Sequence, residues 1–284
     1  MDYIIRRARY GGFSLIRHEN SFSISVYRRI NMALTLTHFL IVCPLCFVAG
    51  FVDAVAGGGG LISVTAYMLA GLPTHFAVAT NKLSAGMATT LSTIRYAKFG
   101  YIDLKLGLLC AAVSLVGSTL GAKLALVVSD YYFKIIILFI LPIVAYNTFR
   151  GSSWLTEKEP YSEGKTALLA VPFAFFLGMY DGFYGPGAGV FLLIGLTAIA
   201  HLPITKANGI NKAINCAACY ASLAVYLKSG NVLIPLGLTA GCFGLVGSYL
   251  GTGAFGKNGV KAAKPVILIV VVIFFVKTLF ELFG

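Results

Sequence analysis

Hydrophobic positions along this chain come in long runs rather than in alternation, and the runs approach the roughly 20-residue length that a bilayer demands. Eight predicted spans follow: Leu34–Ala56, His75–Phe99, Leu104–Val128, Tyr131–Phe149, Thr166–Tyr184, Ile204–Leu227, Val232–Phe255 and Pro265–Phe283. Two shorter apolar stretches, Leu61–Leu72 and Val190–Leu202, follow glycine-rich breaks. At about 1.5 Å per residue they fall short of a hydrocarbon core roughly 30 Å thick. They read as half-helices that enter the membrane and turn back. If they cross instead, the count becomes ten.

Polar stretches divide the chain. Arg150–Lys165, with three glutamates and Pro160, is a linker near the midpoint. The division is therefore a basic N-terminal tail or mis-called start at 1–33, a first repeat at 34–149, the linker at 150–165 and a second repeat at 166–284. Met32-Ala33-Leu34 opens the first span directly.

The halves repeat each other. At an offset of 128, Pro44, Phe47, Gly50, Asp53, Gly57 and Gly59 meet Pro172, Phe175, Gly178, Asp181, Gly185 and Gly187. Beyond the glycines the offset becomes 130, and Asn81-Lys82, Tyr96, Lys98 and Gly100 meet Asn211-Lys212, Tyr226, Lys228 and Gly230. Val116-Gly117-Ser118 meets Val246-Gly247-Ser248. Matches in Asp, Asn-Lys and Tyr-x-Lys-x-Gly in one order are not a product of biased composition. The fold class is an all-α polytopic membrane protein of about eight transmembrane helices in two repeats of about four, each with a glycine-rich broken or re-entrant helix. Four crossings per unit make the halves parallel; five make them inverted, giving ten spans, and both stay open here. Duplicated units with broken helices are the architecture of secondary transporters.

Composition agrees. Of 284 residues, 58% are hydrophobic and 11% charged, which excludes a soluble enzyme, a disordered chain and a disulfide-rich module. The net charge of +12 would suggest nucleic acid in a soluble domain. Here the basic residues cluster in the tail (Arg6, Arg7, Arg9, Arg17, Arg28, Arg29) or between apolar runs, so lipid is the partner and nucleic acid is not. Outside the tail the loop cations are nearly balanced. Arg95, Lys98, Lys105, Arg150, Lys158, Lys165 and Lys228 fall on one side, and Lys134, Lys206, Lys257, Lys261 and Lys264 on the other.

The run Gly50-Phe51-Val52-Asp53-Ala54-Val55-Ala56-Gly57-Gly58-Gly59-Gly60 resembles the first signature of the TauE/SafE sulfite exporter family, also called the toluene sulfonate uptake permeases. Gly71-Leu72-Pro73, Ala79-Thr80-Asn81-Lys82-Leu83 and Arg95-Tyr96-Ala97-Lys98-Phe99-Gly100 continue the likeness. Gly178-Met179-Tyr180-Asp181-Gly182-Phe183-Tyr184-Gly185-Pro186-Gly187-Ala188-Gly189 resembles its second-repeat loop. The resemblance runs from about Leu36 to the C-terminus. It implies an inner- or plasma-membrane permease of sulfite, sulfonates or other small organic anions, with no cofactor. The tail before Met32 departs from the pattern.

The candidate substrate-binding residues are Gly57, Gly58, Gly59, Gly60, Gly185, Gly187 and Gly189, with Asn81, Lys82, Asn211 and Lys212. Glycine loops can line a cavity with bare backbone, and the half-helices after them would aim N-terminal amides at an anion. A branched side chain at Gly58 or Gly187 is expected to fill that cavity. Small-residue helix packing is the plainer use of glycine, and Gly117, Gly121, Gly247 and Gly251 fit it. Lys82 and Lys212 are repeat-matched cations inside spans, where a lysine has a partner or a task; snorkelling is the alternative. Asn81 and Asn211 offer amide donors or helix–helix hydrogen bonds. Asp53 and Asp181 are the acids inside the spans. They serve either as ion-pair partners of the lysines or as protonatable coupling groups, since desolvation favours a neutral acid.

Cys43-x-x-Cys46 and Cys216-x-x-Cys219 have redox or metal spacing, but their thiols have no counterparts in the other half, and buried cysteine is ordinarily inert packing. The histidines (His18, His38, His75, His201) form no ligand set, and no nucleotide-binding loop is present. No catalytic or metal residue is therefore named. The reading is a secondary permease of a small anion with its site between the glycine loops. A passive anion channel and a membrane thiol oxidoreductase are the rivals, and assembly as a homo-oligomer stays open.

Overall fold

The computed structural model describes residues 34–129, 135 and 159–255. The basic tail, the expected spans Tyr131–Phe149 and Pro265–Phe283, and most of the linker lie outside them. The described residues form eight helices and no strand: α1 (Leu36–Ala56), α2 (Gly59–Leu69), α3 (Thr74–Lys98), α4 (Leu104–Val127), α5 (Glu163–Phe183), α6 (Ala188–Ala198), α7 (Ile204–Ser229) and α8 (Ile234–Ala254). The protein is thus an all-helical polytopic membrane protein.

Helix starts follow local chemistry. Asp103 caps α4 by accepting from the Leu106 amide at 3.1 Å, and Pro73 and Pro203 precede the first residues of α3 and α7. Pro44 and Pro172 lie inside α1 and α5, each removing one rung of the helical ladder well before the helix breaks.

Length and polarity sort the helices into layers. Among the described residues, α1, α4, α5 and α8 are long and apolar enough to cross a membrane. α3 and α7 are longer still, at 25 and 26 residues, but carry buried asparagines, a lysine, serines and threonines. Such helices cannot face lipid and must be covered by protein. They pack against each other, with α4 against α7 and α8 against α3.

Close approaches at small residues set the helix directions. A Cβ on Gly117 would meet the Phe175 carbonyl and one on Gly121 the Met179 carbonyl, so α4 and α5 run parallel. Gly247 on Phe47 and Gly251 on Phe51 make α8 parallel to α1. Gly237 beside Thr80 and Leu83, with Ser92 bonded to Ser248, makes α8 parallel to α3. Ser114 and Ser118 donate to the Ile214 and Ala218 carbonyls, so α4 also runs with α7. α3 and α7 cross antiparallel, Gly86 at Cys219 and Thr90 at Cys216. Two triplets result, α1/α3/α8 and α4/α5/α7, running in opposite directions. These contacts are where the expected helix-packing glycines Gly117, Gly121, Gly247 and Gly251 stand.

The directions revise the allotment of loop charge. Because α7 runs against α3, Lys228 falls at the opposite end of the bundle from Arg95, while Lys206 joins the Arg95 end. Among the described residues that end holds Arg95, Lys98, Lys105, Lys165 and Lys206, and the other holds Lys123 and Lys228.

The two short helices have 11 residues each, about 16 Å of rise. α6 folds back along α5, Gly195 against the Phe173 ring and the Ala200 carbonyl near Thr166 Oγ1. α2 likewise starts against Ala49 and Asp53 near the end of α1. The two breaks meet: a Cβ on Gly57 would lie 2.4 Å from the Gly189 carbonyl carbon, and one on Gly189 2.5 Å from the Gly57 oxygen. Only glycine permits backbone this close.

Candidate functional site

Breaking a helix inside a membrane leaves its last carbonyls without partners, and lipid cannot supply them. Side chains from α3 and α7 do so here. Tyr96 Oη donates to the Ala54 carbonyl at 2.8 Å, joined by Asn208 Nδ2 at 3.1 Å. Tyr226 Oη donates to the Gly182 carbonyl at 2.8 Å.

The lysines finish the same task and cross between halves. Lys82 Nζ, from α3, donates to the Asp181 carbonyl at the end of α5 and to Asp181 Oδ1 at 3.1 Å. Lys212 Nζ, from α7, donates to the Asp53 carbonyl at the end of α1 and to Asp53 Oδ2 at 2.8 Å. Each ammonium thus sits at the negative end of a helix and beside a carboxylate, two terms of the same sign. The pairs are unequal in exposure. The side chains of Lys82 and Asp181 are 2% and 4% exposed, those of Lys212 and Asp53 0% and 15%. Of the two roles weighed for the acids, ion pairing is present in the geometry.

A cavity of about 40 Å³ lies at the meeting of the breaks, space for about three waters at ~10–15 Å³ each. Of the sequence-nominated residues, Asp53, Gly57, Gly59, Gly60, Asn81, Lys82, Asp181, Gly185 and Gly189 line it. Gly58 and Gly187, which cap the starts of α2 and α6, are not among the lining residues, so the expected filling of the cavity from those positions belongs instead to their neighbours. Asn211 and Lys212 also stand off the wall; Asn211 Nδ2 donates to the Gly189 carbonyl at 2.9 Å and holds the second break. Asn81 Oδ1 and Asp181 Oδ2 are buried acceptors without a hydrogen-bond partner among the described residues.

Other wall residues were not singled out from sequence: Ser63, Ser84, Asn215 and Gly244. One signal was available. Asn208, Asn211 and Asn215 stand at helical spacing along one face of α7, a polar stripe in an otherwise apolar run. Cys46 and Cys219 reach the wall as free thiols, while Cys43 is buried and Cys216 half-buried. Among the described residues no group of three His, Cys, Asp or Glu side chains could hold a metal.

Gly185 lies directly over one ion pair. Its φ is +96°, and a Cβ there would fall 2.7 Å from Lys82 Nζ and 2.9 Å from Asp181 Oδ1. Gly185→Ala is expected to cut flux per inserted protein by about tenfold or more, through left-handed strain of roughly 1–3 kcal/mol plus displacement of the pair. Gly71 has a matching φ of +93° with nothing within 4 Å, so Gly71→Ala carries the strain alone and serves as the control. Equal flux in the two variants would remove Gly185 from the site.

Apolar helices outside, a polar pair within, and two broken helices meeting over buried charge define a multi-pass membrane transporter. The chain belongs to the family described as Sulfite exporter TauE/SafE, whose model matches residues 42–278. Curated relatives carry transporter names. "Probable membrane transporter protein ORF9" of Sinorhizobium sp is 32% identical over 240 residues, covering 84% of this chain and 91% of the relative. "Probable membrane transporter protein YfcA" of Escherichia coli (strain K12) is 29% identical over 245 residues, covering 84% and 89%. A Haemophilus influenzae protein, "Probable membrane transporter protein", is 30% identical over 224 residues, covering 78% and 87%. No solved structure matches the chain.

Proposed function

We propose that this transporter is a secondary permease of small anions, sulfite, sulfonates or related oxyanions, working in the plasma or inner membrane. The observation that carries the reading is the crossed arrangement of Lys82 with Asp181 and Lys212 with Asp53 across the meeting breaks. Each half holds the other's broken helix through a charge, so movement of one half against the other must pass through these pairs. The repeat-matched residues and the opposed directions of α1 and α5 support two inverted units, the arrangement in which alternating access exchanges equivalent conformations.

The pairs neutralise each other, and this shapes the mechanism. The wall itself carries Lys82 against Asp53 and Asp181, with Lys212 behind it, so an anion entering there depends on the Gly59 and Gly60 backbone at the start of α2, where the helix end is positive. Protonation of an aspartate would release its lysine towards the anion, linking anion movement to a proton. The sulfite exporter name of the family supports the anion class. Charge at the bundle ends favours the Arg95 end as cytoplasmic under the positive-inside rule.

The test is flux in proteoliposomes with sulfite, sulfate, thiosulfate, sulfoacetate and taurine, with and without a pH gradient. Selective anion flux driven by the gradient is the expected result. Ungated flux through every anion favours the channel reading, selective cation flux overturns the assignment, and loss of activity on Cys→Ser replacement would favour thiol chemistry.

A further inference from the structure

The ion pairs obey the two-fold arrangement of the halves, but the cavity does not. Its wall is drawn mainly from α1, α2, α3 and α8, while α4 contributes nothing to it. The positions that stand 128 or 130 residues away explain why. Where the wall has Ala49, the other half has Leu177; Gly60 is matched by Val190, Ser63 by Leu193, Ser84 by Ile214 and Gly244 by Ser114. All five exchanges add bulk, and four of them replace a small or hydroxylated residue with a branched apolar one. Leu193 and Ile214 are fully packed in an apolar cluster with Cys110 and Ala174, themselves the counterparts of Ala240 and Cys46. The second cradle is filled core, and the first is hollow and carries the Ser63 and Ser84 hydroxyls.

Interiors pack to crystal-like density, so a small hollow with hydroxyls on its wall, kept in one of two related cradles, is the signature of a ligand seat. We infer that the transported anion sits off the two-fold axis, in the cradle of α1, α3 and α8, and that Ser63 and Ser84 are its specificity-determining side chains. The inference rests on the anion-permease reading. Both hydroxyls are already oriented by the fold. Ser84 Oγ accepts from Tyr67 Oη at 2.9 Å and donates to the Asn81 carbonyl at 3.2 Å; Ser63 Oγ donates to the Gly59 carbonyl at 3.1 Å. Each hydroxyl hydrogen can rotate from its carbonyl to an oxyanion oxygen without moving the helix. With two hydroxyls and bare glycine backbone in a cavity of about 40 Å³, the seat suits a compact oxyanion and has no room for a long organic tail.

The test exchanges the residue types of the two cradles. Purified Ser63→Leu and Ser84→Ile are expected to weaken sulfite binding by about tenfold or more, with Leu193→Ser and Ile214→Ser within about twofold of wild type. Ser63→Ala and Ser84→Ala keep the space and remove the hydroxyl. They are expected to shift the sulfite-to-methanesulfonate affinity ratio towards methanesulfonate, a readout that a purely structural role would not move. Equal losses from both pairs of exchanges would return the seat to the axis, and unchanged affinity and ratio in all serine variants would remove the serines from it. Wild-type protein that binds none of these anions overturns the permease reading itself, whereas normal sulfite binding with insensitive serines overturns only the off-axis seat.

Discussion

Asp181→Asn is expected to lower the stability of the purified protein by about 3–5 kcal/mol, the usual cost of stranding one member of a buried ion pair. The variant leaves Lys82 Nζ with neutral acceptors only, the backbone carbonyl of residue 181 and the amide oxygen of the new side chain. No counter-charge remains, and side chains on both sides of the pair are 4% exposed or less. Waters in the adjoining cavity are neutral and cannot supply the lost counter-charge. Asp53→Asn is expected to cost less, because the 15% exposure of Asp53 lets solvent reach its pair with Lys212. In a background with Cys46, Cys216, Cys219 and the exposed Cys242 replaced by serine, the buried free thiols of Cys43 and Cys110 provide the measurement, since burial holds back their reaction with a fluorogenic maleimide until the protein unfolds. The double variant Lys82→Met/Asp181→Asn removes both charges and should recover most of the loss. An unfolding midpoint for Asp181→Asn equal to wild type would show that the pair does not hold the halves together. A midpoint no better in the double variant would show that the cost lies in packing around residue 181, not in the stranded charge.

That experiment addresses a feature only partly legible in the sequence. Apolar runs, the glycine breaks and the isolated acids and lysines are local signals, and α1, α3, α4, α5, α7 and α8 fall within a few residues of the expected spans. The half-helices were legible for the same reason: 11 residues cannot span the core. Pairing was not. Lys82 and Asp181 are separated by 99 residues and Lys212 and Asp53 by 159, and which lysine meets which acid depends on the direction of α5 against α1. Tyr96 and Tyr226 were visible as matched residues without a role, because capping the Ala54 and Gly182 carbonyls requires the broken helix ends to be in place. The repeat itself concealed the difference between the cradles. Matching Asn-Lys to Asn-Lys makes the halves look equivalent, while the exchanges that fill one of them, Ser84 with Ile214 and Ser63 with Leu193, are the mismatches that a repeat search passes over.

The same asymmetry separates two lysines that the sequence treats alike, and the separation is measurable. Lys82 lines the cavity and Lys212 does not. Methionine keeps much of the apolar stem and deletes the charge. Lys82→Met is therefore expected to weaken anion affinity by about tenfold or more, roughly 1.4 kcal/mol, in a direct titration with sulfite. Because Asp53 lines the cavity, Lys212→Met alone would leave its carboxylate to repel the anion, so the comparison is Lys212→Met/Asp53→Asn, expected to leave the affinity of the folded fraction within about twofold. Arginine at position 82 should not restore binding, because a planar guanidinium needs more room than a compact ammonium in a cavity of about 40 Å³. Deleting Lys82 also exposes the anion to the Asp181 carboxylate, which alone would weaken binding by repulsion. Lys82→Met/Asp181→Asn isolates the two causes. If affinity returns in the double variant, repulsion from Asp181 was the whole effect and the ammonium makes no contact; if it stays about tenfold down, Lys82 touches the anion. Equal losses from Lys82→Met/Asp181→Asn and Lys212→Met/Asp53→Asn would place the anion between the two pairs on the axis, and no loss from either would take both lysines out of recognition and leave them as the clasps of the broken helices.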